Sequence, residues 1–180
     1  KEAHPRVVNM LRNILAFYML YKDEMGPASD ESSNILDRWI LAQLNGLIVV
    51  TTEAFDNYDV PHATRPMREF IDDFSTWYIR RSRDRMKGGN AEDKKAALAT
   101  LRYVLKEFSK VIAPVMPFIA EEIFQSVRET SDPESVHLVG WPEIKKRWRF
   151  FGDPDKKMIR EMQEVRSLAS EALQLRQKAG

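Results

Sequence analysis

Four arginines lie within six consecutive positions of the chain, at Arg80, Arg81, Arg83 and Arg85. A planar guanidinium group can donate two parallel hydrogen bonds to phosphate oxygens, so such a cluster is suited to the backbone of an RNA. On a helix, Arg80 and Arg83 share one face with Lys87, whereas Arg81 and Arg85 share another. The same side chains can instead close a helix end and pair with carboxylates of neighbouring helices. The cluster is therefore a candidate RNA-binding site with a structural alternative.

Catalytic motifs are missing from the sequence. It contains no GxxxxGK[ST] loop, no GxGxxG, no GxSxG and no HExxH pair. The three histidines fall in different predicted elements: His4, His62 and His137. Asp72 and Asp73 are adjacent on a predicted helix, as are Glu121 and Glu122, and adjacent helical side chains do not face each other. The sequence therefore predicts no catalytic residue and no metal site in this chain.

Composition and charge indicate a folded protein that is nearly neutral. Hydrophobic residues make up 43% of the 180 residues, and 28 Lys and Arg oppose 27 Asp and Glu. Any attraction to a polyanion must then come from the local placement of charge. There is no cysteine, which is typical of a reducing compartment, and no apolar run approaches the length of a membrane span. We expect a cytoplasmic monomer with no membrane partner.

Apolar residues recur at steps of three and four along most of the chain, which predicts helices. The first runs from Pro5 towards Gly26, and a serine of residues 26–33 is expected to cap the second. A kink or restart is expected near Thr64, because Pro66 cannot donate a backbone hydrogen bond inside a helix. The third helix should end at Gly88. The pattern indicates an all-α fold.

Proline and asparagine mark the later boundaries. Asn90 is a predicted N-cap for the fourth helix, and Pro114 and Pro117 separate the fourth helix from the fifth. Residues 136–142 are predicted to form a short extended strap across the bundle, with Trp141 pinning it. Asp153 and Pro154 suit the start of a last helix.

The predicted architecture is an antiparallel helix bundle of about five main helices. We expect residues 1–142 to form this bundle. Residues 143–180 would form a linker and a C-terminal helical arm that continues in a longer protein.

Several short sequence segments resemble, in order and spacing, those of the anticodon-binding domain of class Ia aminoacyl-tRNA synthetases. They are DRWILAQL (37–44), FDNYD (55–59), FSTWYIRRSRDR (74–85), APVMPFIAEEI (113–123), VHL (136–138) and WP (141–142). Within that class, the word WYIRRSRDR resembles the isoleucyl enzymes. Valyl and leucyl relatives share the PFxxEE-type segment but usually carry a different tail after Trp-Tyr, and either remains an alternative.

The resemblance implies a domain that binds the anticodon arm of a tRNA and so positions the tRNA for a catalytic domain. The HIGH-like and KMSKS-like words that handle ATP in this class are absent from the chain, so ATP and magnesium are cofactors expected only of the parent enzyme. The catalytic and C-terminal domains of that enzyme would be further partners. Because the methionyl relative uses its corresponding first helix for base reading, the candidate base-reading residues are Asn9, Arg12 and Asn13. The alternative from another functional class is a helical protein-interaction module, in which the arginines would pair with carboxylates of the same chain.

Overall fold

The structure is a computed structural model, and it describes residues 3–144 and 154–179. Regular secondary structure within these ranges is entirely helical, which confirms the predicted all-α class. The chain divides into two compact units, Lys1–Ile144 and Lys145–Gly180, and each is described by itself.

Successive α-helices make up the described part of the first unit. They are α1 (Ala3–Met19), α2 (Ile35–Asp56), α3 (Val60–Asp73), α4 (Arg80–Lys87), α5 (Ala91–Ile112) and α6 (Pro117–Val127). A π-helical segment, Phe74–Ile79, joins α3 directly to α4, so the three form one continuous helical rod. Lys22–Glu24 and Val136–Leu138 are short 3₁₀ turns.

Helix α1 runs parallel to the rod formed by α3, the π segment and α4. Near its beginning, Arg6 pairs with Asp72 at 3.8 Å. Near its end, the guanidinium of Arg83 lies 5.7 Å from the ring of Phe17. The spacing from Arg6 to Phe17 in α1 equals the spacing from Asp72 to Arg83 in the rod. The two helices therefore run side by side in the same direction. The C-terminal end of α1 therefore lies beside the arginine cluster.

The core of the first unit is built from the apolar stripes of its helices. Leu44, Phe74, Leu101 and Ile123, from four different segments of the fold, are all at most 1% exposed. Trp39 is fully buried, as expected of a large aromatic residue on an apolar stripe. These apolar positions are thus buried, as their helical spacing requires.

Several predicted helix boundaries were wrong. Helix α1, predicted to run towards Gly26, ends at Met19. Helix α2 is capped by Asn34, whose side-chain oxygen accepts a hydrogen bond from the Leu36 N–H, and not by a serine. Helix α3 already begins at Val60, because the Asp59 carboxylate accepts from the His62 N–H and supplies the N-cap. Thr64 therefore lies inside the helix and does not restart it.

The strap is pinned at two points. The Glu121 carboxylate accepts hydrogen bonds from the Ser135 hydroxyl and the Val136 N–H, both at 2.9 Å. Trp141 donates its indole N–H to the Thr52 hydroxyl at 2.8 Å and packs edge-on against Phe55. The segment predicted to be an extended strap begins with the 3₁₀ turn Val136–Leu138, so these three residues depart from the prediction.

The described part of the second unit is one helix, α7 (Pro154–Ala179). The predicted N-cap, Asp153, lies outside the described residues. Several apolar side chains of α7 are exposed: Val165, Leu168, Leu173 and Leu175. No helix in the described ranges is long and apolar enough to cross a membrane.

Candidate nucleic-acid interface

The arginine cluster stands where the helical rod leaves the π segment. The i→i+5 hydrogen bonding of a π turn shifts the phase of the residues that follow it. Buried positions continue through this region, with Tyr78, Ser82 and Met86 facing the core. The opposite side of α4 carries the exposed arginines Arg80, Arg81 and Arg83 and the exposed Lys87, so the rod presents a basic surface to solvent.

Arg85 differs from the rest of the cluster because it points into the fold. Its guanidinium donates two hydrogen bonds to the Asp37 carboxylate at 3.0 Å each, and two to Asp93 at 2.7 and 2.8 Å. Its side chain is 14% exposed and that of Asp37 is 0% exposed. The structure therefore places Arg85 in internal ion pairs with the first turns of α2 and α5, and we leave it out of the proposed RNA-facing set.

Asp37 is fully hydrogen-bonded in this buried position. Besides the guanidinium, it accepts from the Tyr78 hydroxyl at 2.9 Å and the Ser32 hydroxyl at 2.7 Å. Burial, together with the nearby Asp37 charge, raises the pKa of Tyr78 well above its usual value, so this side chain stays a neutral donor. We name this group of Asp37, Arg85, Asp93, Tyr78 and Ser32 the Asp37 network.

The ion pairs of the Asp37 network shift the pKa values of Arg85 and Asp93. The hydrogen bonds from Arg85 lower the pKa of Asp93. Burial alone would lower the pKa of Arg85, but its hydrogen bonds to Asp93 and Asp37 outweigh burial and raise it. Both groups are therefore held in their charged forms.

Arg80, Arg81 and Arg83 are exposed. Arg83 lies on the flank towards α1, where it approaches Phe17. Arg81 lies on the other flank, with its guanidinium carbon 3.8 Å from the centroid of the Trp77 ring. The three side chains thus spread over the outer half of the α4 surface, a geometry that can follow a curved phosphate backbone.

The predicted base-reading residues lie on the exposed side of α1. Asn9, Arg12 and Asn13 are all exposed. Asn9 lies opposite the buried stripe of the helix. Arg12 turns towards α6 and pairs with Glu122 at 3.5 Å in a solvent-exposed contact. Asn13 stands between the Arg6 and Phe17 contacts, at the level where the π segment passes into α4.

The structure thus brings the outward arginines and the α1 polar residues to neighbouring parallel helices. Sequence reasoning missed the Asp37 network. Two signals could have suggested it: Asp37 falls in a mostly apolar stretch, and Asp93 follows the Asn90 cap. Among the described residues, no group of three or more His, Cys, Asp or Glu is arranged to hold a metal ion.

Comparison with known proteins identifies the class. A family described as the anticodon-binding domain of tRNA ligase matches residues 37–180. The chain belongs to this family, as the resemblance predicted.

Three similar relatives are all isoleucine–tRNA ligases. The isoleucine–tRNA ligase of Chlamydia trachomatis serovar D is 45% identical over 144 residues, covering 77% of this chain and 14% of the relative. That of Chlamydia muridarum is 40% identical over 170 residues, covering 92% and 16%. That of Methanopyrus kandleri is 37% identical over 186 aligned positions, covering 97% and 17%. The chain therefore spans only 14% to 17% of the length of these relatives.

Proposed function

We propose that this chain binds the anticodon arm of isoleucine tRNA and is the anticodon-binding domain of an isoleucine–tRNA ligase. The observation that carries the proposal is the pairing of two surfaces, the outward arginines of α4 and the exposed Asn and Arg face of α1. Guanidinium groups bind phosphates without regard to sequence, whereas amide and guanidinium hydrogen bonds to unpaired bases carry sequence information. The two helices would divide these tasks.

Binding here would position the tRNA and make no bond itself. Held by its anticodon arm, the tRNA presents its distant acceptor end to a catalytic domain, which uses ATP and magnesium. Positioning of this kind contributes to catalysis by removing rotational and translational freedom. We further propose that residues 1–142 are the binding bundle and that 143–180 lead towards other domains of a monomeric, cytoplasmic parent enzyme.

Salt-titrated binding tests the phosphate contacts. The probe is a synthetic anticodon stem-loop of isoleucine tRNA, with the valine and leucine stem-loops as competitors. Arg80→Gln and Arg83→Gln should each weaken all three complexes about equally. Each should also reduce the magnitude of the log-affinity against log-salt slope by about 0.7–0.9 for every phosphate that is no longer neutralised. Arg65→Gln is the matched control, because Arg65 is an exposed arginine on α3 near the far end of the same rod.

Base reading predicts a different result. Asn9→Ala and Asn13→Ala should change the preference among the three stem-loops and leave the salt slope unchanged. Tightest binding of the valine or leucine stem-loop would overturn the isoleucine assignment. If Arg80→Gln and Arg83→Gln behave like Arg65→Gln, the arginine surface does not bind RNA and the interaction-module alternative is favoured.

A further inference from the structure

Arg81 is held differently from the two other outward arginines. Its guanidinium carbon lies 3.8 Å from the centroid of the Trp77 ring, which is the distance of two planar groups in face-to-face contact. The guanidinium of Arg83 is 5.7 Å from the Phe17 ring, too far for such stacking. Arg81 is exposed, so this side chain keeps solvent-accessible surface beside its contact with Trp77.

The helical geometry fixes this stacking. Trp77 belongs to the π segment and Arg81 to the first turn of α4. Side chains four positions apart on a helix lie on one face in successive turns, so the Arg81 guanidinium can reach the Trp77 ring. On the inner side of the same rod, the same spacing places Phe70 in tilted contact with Phe74 and stacks Phe74 with Tyr78, with ring centroids 5.7 and 5.8 Å apart. The Trp77 ring is therefore presented by a packed, regular element.

A planar cation lying on an indole is a preformed surface for another planar ring. RNA bases in loops stack on aromatic side chains and on guanidinium planes. The cost of ordering a long arginine side chain is already met in the free protein, because Trp77 holds it in place. The indole also favours the cation on its face through its ring quadrupole.

We propose that Trp77 and Arg81 form a stacking platform for one unpaired RNA base, with Arg81 acting through its guanidinium face. This inference rests on the proposed function, since it assumes that the rod contacts RNA. It assigns Arg81 a base contact, whereas Arg80 and Arg83 contact phosphates. The ligand class is a single-stranded nucleotide at the loop of the anticodon arm.

The experiment compares Arg81→Lys with the control variant Arg65→Lys in the full chain, because Arg65 is an exposed arginine on α3 outside the proposed RNA-facing set. Lysine keeps the charge and removes the plane, so a phosphate contact survives where a stack does not. The probes are the isoleucine anticodon stem-loop and a duplex of the same stem that has no loop. A second set of stem-loops carries the fluorescent base 2-aminopurine at single loop positions, since its emission falls on stacking.

Arg81→Lys should weaken binding of the stem-loop on the order of tenfold, as expected when one base is no longer stacked. Its salt slope should equal that of the wild type, and duplex binding should change less than twofold. Arg65→Lys should change neither probe by more than twofold. At one loop position, 2-aminopurine should be quenched by the wild type and not by Arg81→Lys. Trp77→Phe, which keeps a smaller ring, should give an intermediate effect.

Wild-type affinity in Arg81→Lys, or an equal weakening on stem-loop and duplex, would overturn the platform and leave the proposed function standing. Failure of the wild-type chain to bind the stem-loop would overturn both. Thermal melting of each variant shows whether it is folded. An Arg81→Lys chain that melts like the wild type attributes the weaker binding to the stack.

Discussion

Replacing Arg85 by methionine should strongly destabilise the first unit. Methionine has a similar reach and no charge, so the Asp37 carboxylate, which is 0% exposed, would keep only the Tyr78 and Ser32 hydroxyls as donors. Breaking a buried ion pair on one side leaves an uncompensated charge and typically costs about 3–5 kcal/mol.

Most of this cost belongs to Asp37. The Asp93 side chain is 37% exposed, so water can replace the guanidinium there and the broken pair matters less. We therefore expect the destabilisation to lie near the middle of that range. It corresponds to a fall in melting temperature on the order of 10 °C for a unit of this size.

Urea unfolding followed by circular dichroism measures the change in free energy. Arg80→Met is the matched control, because it removes an exposed arginine from the same helix and should change stability by no more than about 0.5 kcal/mol. The reasoning is refuted if Arg85→Met and Arg80→Met are destabilised by the same amount. Adding Asp37→Leu to Arg85→Met should restore part of the stability, because it removes the buried charge. A double variant less stable than Arg85→Met alone would contradict the buried-charge argument.

Two further predictions concern the rest of the first unit. Burial raises the pKa of Glu129 and Asp132, but hydrogen bonds from Lys106 and from backbone N–H groups outweigh it and lower both. The stabilisation that these two carboxylates provide is complete above their pKa values in the unfolded chain. It is lost as pH falls through their lower pKa values in the folded protein. Lys106→Met should therefore lower stability at pH 7 and flatten its decline below about pH 4.5, as measured by urea unfolding across pH. Trp141→Phe removes the indole hydrogen bond to Thr52 and should cost about 0.5–1.5 kcal/mol. Thr52→Val should cost more, because it also removes the hydrogen bond from the Thr52 hydroxyl to the Ile48 carbonyl. The double variant should cost less than the sum of the two, because the shared hydrogen bond is lost only once, and fully additive costs would show that the two side chains do not interact.

The helices of the first unit could be predicted because each carries local signals. The Asn90 side chain accepts from the Glu92 and Asp93 N–H groups, as the sequence indicated. Helix α6 begins at Pro117, where a proline at a first helical position costs nothing. The start of α3 was harder to predict, because Asp59 could be either a turn residue or an N-cap. A proline such as Pro66 usually marks a helix boundary, but here it lies inside the helix.

The internal role of Arg85 could not be predicted from spacing. On a regular α-helix Arg81 and Arg85 share a face, so periodicity assigns them one role. In the structure, Arg81 stacks on Trp77 and Arg85 reaches carboxylates that lie 48 and 8 positions away in the chain. The π segment and the positions of α2 and α5 decide this division, and both are tertiary features. Trp77, on which Arg81 stacks, is only partly buried.

The internal position of Arg85 also matters for the RNA contacts that we propose for the outward arginines. The chain carries a net charge of only +1, and at physiological salt charge interactions are screened over about 8 Å. Long-range attraction is therefore weak, and affinity must come from groups already in place. Because Arg85 ties α4 to the first turns of α2 and α5, the outward arginines stand on a helix whose rotation is fixed. In the proposed interface, Arg85 thus orders the helix that carries Arg80, Arg81 and Arg83, so less ordering remains to be done when an RNA binds.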